Sequence, residues 1–94
     1  MPPVVRLGDI CTGHGCYPRR ENIEGSNSVF ANDIPFHCVG HAWAVHCCQS
    51  CHAGVLAAGS PNVFAEDKSV GRVGDAISCG SDCAEGSNNV ICND

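Results

Sequence analysis

Two short motifs occur three times each in this chain, always in the same alternating order. The first is Pro3-Val4-Val5-Arg6-Leu7-Gly8-Asp9, which returns as Pro35-Phe36-His37-Cys38-Val39-Gly40-His41 and as Ser69-Val70-Gly71-Arg72-Val73-Gly74-Asp75. The second is Glu24-Gly25-Ser26-Asn27-Ser28-Val29-Phe30, repeated as Ala58-Gly59-Ser60-Pro61-Asn62-Val63-Phe64 and as Glu85-Gly86-Ser87-Asn88-Asn89-Val90-Ile91. From the second-motif glycine to the next first-motif glycine is 15 residues in both instances, 25 to 40 and 59 to 74. A spacing conserved to the residue marks a repeated supersecondary unit, and a repeat restricts the fold more than any single segment does.

Each second motif runs into a β-rich stretch and then a turn pair. Val29-Phe30-Ala31 leads to Asn32-Asp33, and Val63-Phe64-Ala65 leads to Glu66-Asp67. Strand-like runs follow from Ile34 to Val39 and from Lys68 to Val73, so each turn is expected to close a hairpin. In the third copy Val90-Ile91-Cys92 reaches Asn93-Asp94 with no return strand after it. The pattern of that missing strand is found at Pro3-Val4-Val5-Arg6, so the N-terminal strand is expected to complete the last hairpin. Such closure brings the termini together, removes a sheet edge and gives approximate threefold symmetry. No stretch sustains a helical apolar period, because Gly or Pro interrupts nearly every window. The expectation is an all-β single domain over residues 1–94, built of modules at about 3–34, 35–68 and 69–94, with hairpins, loops and no helix.

A chain of 94 residues buries a thin core, and something must supplement it. The composition supplies nine Cys and five His, which points to disulfides or metal. Nine is odd, and the N-terminus lacks the charged start and apolar run of a secretory leader, so synthesis in a reducing cytoplasm is expected. On that basis metal is favoured over bridges. A net charge of −5 with five Lys and Arg excludes a basic face for nucleic acid. The longest apolar stretch, Gly54 to Gly59, is far too short to span a membrane.

The repeat register identifies candidate ligands. Six residues beyond Gly8 lies His14, six beyond Gly40 lies His46, and five beyond Gly74 lies Cys79. If the modules surround an axis, these side chains converge on it. Tetrahedral zinc needs a fourth ligand, and His52 shares the loop of His46, with Cys47, Cys48 and Cys51 as nearby rivals. Three imidazoles and one thiolate leave no open coordination position, so the site reads as structural, binding coupled to folding. His37 and His41 read as surface or core residues, and Cys38 and Cys92 as packed ones. The Cys47/Cys51 and Cys48/Cys51 spacings would also suit a second metal or a redox pair, while Cys11, Cys16 and Cys83 are left without a role.

Together these residues resemble the PAAR-repeat proteins, the small tips of type VI secretion spikes and of contractile phage tails. The resemblance runs from Pro3 to about Val90. It rests on the segment before Val73-Gly74-Asp75 and its two copies, on Cys51-His52-Ala53-Gly54, on Gly59 to Phe64, on Gly13-His14-Gly15 and on Ser78-Cys79-Gly80. Cys38 stands where Arg is usual, and His41 where Asp is usual. The resemblance implies a conical structure with a zinc ion near its apex, held by three His and one Cys. It also implies a trimeric β-helical spike protein as partner, one chain per trimer, and a mechanical role in membrane puncturing with effector cargo. Assembly would be cytoplasmic, followed by delivery on the spike or at a virion tail tip. The repeat consumes the chain, so a bare tip with no attached effector is expected. Two rival functions have weaker support. A zinc hydrolase would need an open ligand position and a base, and no His-Glu-x-x-His pair occurs. A stapled binding module unconnected with a spike would suit bridged cysteines in even number. No enzyme is expected.

Overall fold

Short antiparallel pairings, handed from one partner to the next, make up the whole architecture. The computed structural model describes residues 2–92, all β and loop, with no helix among them. The strands are β1 (Phe30–Ala31), β2 (Ile34–Pro35), β3 (His46–Cys48), β4 (Ser50–His52), β5 (Phe64–Ala65) and β6 (Lys68–Ser69). They pair antiparallel as β1 with β2, β3 with β4 and β5 with β6. Asn32 and Asp33 (φ 56° and 65°) turn the first hairpin, and Glu66 and Asp67 (53° and 66°) turn the third. Two consecutive left-handed residues match a type I′ turn, whose twist suits a hairpin. Where the third repeat needs a return strand, Pro3 pairs with Ile91, and Val4 N–H donates to the Val90 carbonyl. The turn at Asn93-Asp94 lies outside the described residues.

The strand-like runs do not extend as single strands. Within the run from Ile34, residues 34 and 35 pair with β1, Phe36 pairs with Arg6, and Cys38 pairs with Val70. The backbone changes partner every residue or two because it coils around an axis rather than lying flat.

That axis is defined by three hydrogen bonds in a closed ring. Val5 N–H donates to the Gly71 carbonyl (2.9 Å), Gly71 N–H to the His37 carbonyl (2.8 Å) and His37 N–H to the Val5 carbonyl (3.0 Å). The three residues hold the same position in the three first motifs, and all are buried. A Cβ at Gly71 would lie 2.7 Å from Leu56 Cδ2, so the glycine makes room for a side chain at the axis.

The motif letters follow from this geometry. Buried Ser26, Ser60 and Ser87 each accept from two backbone N–H groups with one hydroxyl: Ser28 and Val29, Asn62 and Val63, Asn89 and Val90. Beside them, a side chain at Gly25, Gly59 or Gly86 would strike the neighbouring first motif, at Pro35, Val70 or Val4. Arg6 and Arg72 bind Asp9 and Asp75, whose carboxylates also accept the arginines' own N–H at 2.8 Å. In the second copy His41 Nδ1 accepts the Cys38 N–H at 3.0 Å, so the His replaces Asp as acceptor while the arginine fork is lost. The modules are also clasped together. Glu66 accepts from Ser26 and Ser28, and Asn32 donates to Asn89.

Two apolar clusters share the interior. One gathers Val4, Phe36 and Val70 with Ala31, Ala65, Cys38 and Cys92. The other gathers Val5, Cys11, Trp43, Leu56, Ile77 and Cys83. Cys38, Cys92, Cys11 and Cys83 therefore pack as small hydrophobes. Burial pushes the Cys83 thiol up to about 12 and the Cys38 thiol up to about 11.

His37 is fully buried, with Nδ1–H donated to the Glu24 carbonyl at 2.8 Å. Desolvation lowers its pKa to about 4. An unfolded chain binds this proton below about pH 6.5 and the native one only near 4, so stability should fall as pH drops through that window, by on the order of 3 kcal/mol. In urea unfolding at pH 7, 5.5 and 4, His37→Asn should keep the Nδ1-like donor and show a flatter profile than the parent. Identical profiles would remove His37 as the source.

Candidate metal centre

The three residues selected by register and the fourth candidate, His52, meet at one point. His14, His46, His52 and Cys79 place their ligand atoms within 4.8 Å of one another, although they come from three separate segments. His14 opens a tight turn in which Tyr17 N–H donates to the His14 carbonyl at 2.8 Å, with Gly13 and Gly15 at positive φ. Gly13 is needed there, since a Cβ would lie 2.7 Å from the Tyr17 carbonyl oxygen. His46 and His52 are cross-strand partners in the β3–β4 hairpin, which reverses about Gln49 (φ 67°). Cys79 sits in a turn closed by Gly80 N–H to the Ile77 carbonyl. The Cys79 turn approaches β4 closely because residue 54 is glycine: a Cβ there would lie 3.1 Å from Cys79 Cβ.

The donor atoms suit a small tetrahedral cation. Nε2 of His52 lies 3.1 Å from Nε2 of His14 and 2.7 Å from Nε2 of His46. Zn–N bonds of about 2.0–2.1 Å in a tetrahedron separate their nitrogens by about 3.3 Å, close to this spacing. His46 gives its Nδ1–H to the Pro18 carbonyl at 2.9 Å, which leaves its Nε2 lone pair facing the cluster. One proton on His52 Nε2 can satisfy only one of its two Nε2 neighbours, whereas a shared cation satisfies both together. Desolvation, and then the charges of His46 and His14, lower the His52 pKa and favour the neutral imidazole that a metal requires. The residues present therefore fit a zinc ion, which would supply charge neutralisation and a rigid cross-link.

Tyr17 was not singled out from sequence, yet its ring stacks on His52 (centroids 4.2 Å apart) and on His14 (4.8 Å), and tilts over His46 (4.9 Å). It covers the imidazoles, with its hydroxyl 3.1 Å from Ser50 Oγ. No repeat position signals it. The rivals of His52 are placed elsewhere. Cys47 is bonded to Cys51, and Cys48 to Cys16. The preference for metal over bridges fails for these four cysteines, as does the idea of a second metal on them. The reason is register: once His46 pairs with His52, an antiparallel hairpin sets Cys47 opposite Cys51.

The sequence profile of the PAAR motif family matches residues 12–85, more than three quarters of the chain. This chain belongs to the PAAR motif family. No curated protein matches it. PAAR motif proteins are structural tips of type VI secretion spikes and generally not enzymes. All four clustered residues of this PAAR chain fall within the matched span.

Purified protein is expected to carry one zinc per chain by elemental analysis, and both His14→Ala and Cys79→Ala should lose it. Full retention in both variants would exclude these ligands.

Proposed function

We propose that this chain, as one PAAR unit of three modules, is a zinc-bearing tip that caps a trimeric β-helical spike protein at one chain per trimer. The observation that carries this reading is the backbone ring of Val5, His37 and Gly71, by which one chain acquires three equivalent faces. A trimer presents three identical ends, and a single subunit engages all of them only if it repeats itself around the same axis.

The surface supports the reading. Phe30, Phe64 and Ile91 occupy one repeat position and are 52%, 57% and 54% exposed. Large apolar side chains left in water at three symmetry-related places suit a threefold partner. They lie on β1, β5 and the segment paired with Pro3, whose short strands can be extended by a partner's strand through backbone hydrogen bonds. The zinc would bind loops from all three modules into one rigid apex, as a puncturing element requires. Assembly in the cytoplasm, delivery on the spike into a target cell and carriage of effector cargo follow from the same role.

The test is co-purification with a trimeric spike protein, with expected stoichiometry of one chain to three. Phe30→Asp combined with Phe64→Asp changes only exposed positions. It should leave the thermal midpoint within a few degrees while weakening spike binding by at least about tenfold, given about 1.4 kcal/mol or more lost from two desolvated aromatics. Undiminished binding by the double variant would place the contact surface elsewhere.

A further inference from the structure

We propose that the two disulfides form a covalent frame that positions the three histidines, so that metal affinity at the apex responds to thiol redox state. The inference rests on the metal reading above and adds what the cysteines do. Cys16 lies two residues after His14, and Cys48 lies two residues after His46. Their bond joins the turn bearing one imidazole to the strand bearing the next. Cys47 and Cys51 are the cross-strand pair adjoining His46 and His52, and their bond joins the strands bearing the second and third imidazoles. Every histidine of the cluster is thus on one cross-linked unit, and Cys79 alone reaches the site through non-covalent packing.

Side-chain alternation gives the frame its place. His46 is buried and His52 half-buried towards the cluster, whereas Cys47 and Cys51 are exposed on the opposite face of the hairpin. Cys16 is exposed as well, so both bonds are open to exchange with solution thiols. The other buried cysteines differ: Cys11, Cys38, Cys83 and Cys92 pack inside the two apolar clusters, away from solution thiols. Without the bonds, the hairpin and the His14 turn are held by few hydrogen bonds, and fixing three imidazoles must be offset by metal binding itself. With them, that ordering cost is met before the metal arrives.

The chemistry needs a disulfide donor. For each bond, one cysteine thiolate attacks the donor disulfide, releasing a donor thiolate and leaving a mixed disulfide. The second cysteine thiolate then displaces the other donor thiolate. Two electrons pass to the donor per bond, four in all, and four thiol protons leave the protein, to solvent or to the departing donor thiolates. A cytoplasmic thiol pool would keep the frame open, and an oxidising compartment would close it.

The test uses the full chain and zinc alone, with affinity read by competition against a chromophoric chelator. Protein treated with oxidised glutathione is compared with protein reduced by a phosphine. Also compared are Cys16→Ser with Cys48→Ser, Cys47→Ser with Cys51→Ser, all four substitutions together, and Cys92→Ala. The last follows the alanine that the other two repeats carry at Ala31 and Ala65 and serves as a stability control. Reduction, or loss of either bond, should weaken zinc binding by about ten- to a hundredfold, the range typical when groups supporting metal ligands are lost. The fourfold variant should no longer respond to redox state, Cys92→Ala should bind as the parent does, and reoxidation should restore the parent's affinity. Equal affinity in oxidised and reduced parent would overturn the proposal while leaving the metal reading intact. Nine alkylatable thiols in oxidised protein would also overturn it. Absence of zinc binding in every form would overturn both.

Discussion

Three backbone hydrogen bonds around one axis hold this molecule's plan together. The ring of Val5, His37 and Gly71 uses no side chain, so it tolerates a valine, an imidazole and a glycine at one repeat position. Its donors and acceptors are buried, and a buried amide that loses its partner costs about 1–3 kcal/mol, which makes the ring hard to open one bond at a time. The other repeated features stand around it. The serine hydroxyls that cap each second motif, the glycines that admit the neighbouring module and the Arg–Asp pairs all set the distance at which the next module can join the ring.

The same plan explains why some parts of the repeat stay regular and others do not. Around β1, β5 and the Ile91 segment the copies remain alike, down to three exposed apolar residues. At the His–Cys cluster they diverge: the repeat register supplies His14, His46 and Cys79, and His52 joins them from outside it. The loops between glycines differ in length accordingly: 17 residues from Gly8 to Gly25, 19 from Gly40 to Gly59 and 12 from Gly74 to Gly86. The longest carries the β3–β4 hairpin, and with it both His46 and the extra ligand candidate His52. Regularity suits a threefold partner, and divergence suits a single cation.

Much of this was legible in the sequence because backbone requirements leave fixed letters. A glycine that must pass another module, a serine that must cap two amides and a turn pair at positive φ recur in register, and register then placed His14, His46 and Cys79. His52 followed from tetrahedral chemistry. What was not legible depended on which side chains face each other across modules. Strand lengths were overestimated because alternation within Ile34–Val39 does not reveal that its partner changes from β1 to Arg6 to Val70. Tyr17 has no counterpart in the other copies. Of the two readings open for Cys47 and Cys51, the thiol pair rather than a second metal holds, since pairing His46 with His52 sets Cys47 opposite Cys51, whereas the Cys16–Cys48 bond joins segments that no local spacing relates. Cys11 and Cys83 face one another from modules one and three, a contact no local spacing announces.

A closed backbone ring, rather than any one side chain or a metal alone, organises the fold. Amide hydrogen exchange followed by NMR tests it directly. The Val5, His37 and Gly71 amides are expected to be among the slowest to exchange, with equal protection that matches the global unfolding free energy, because each opens only when all do. Exchange of any one of the three a hundredfold faster than the other two would contradict it.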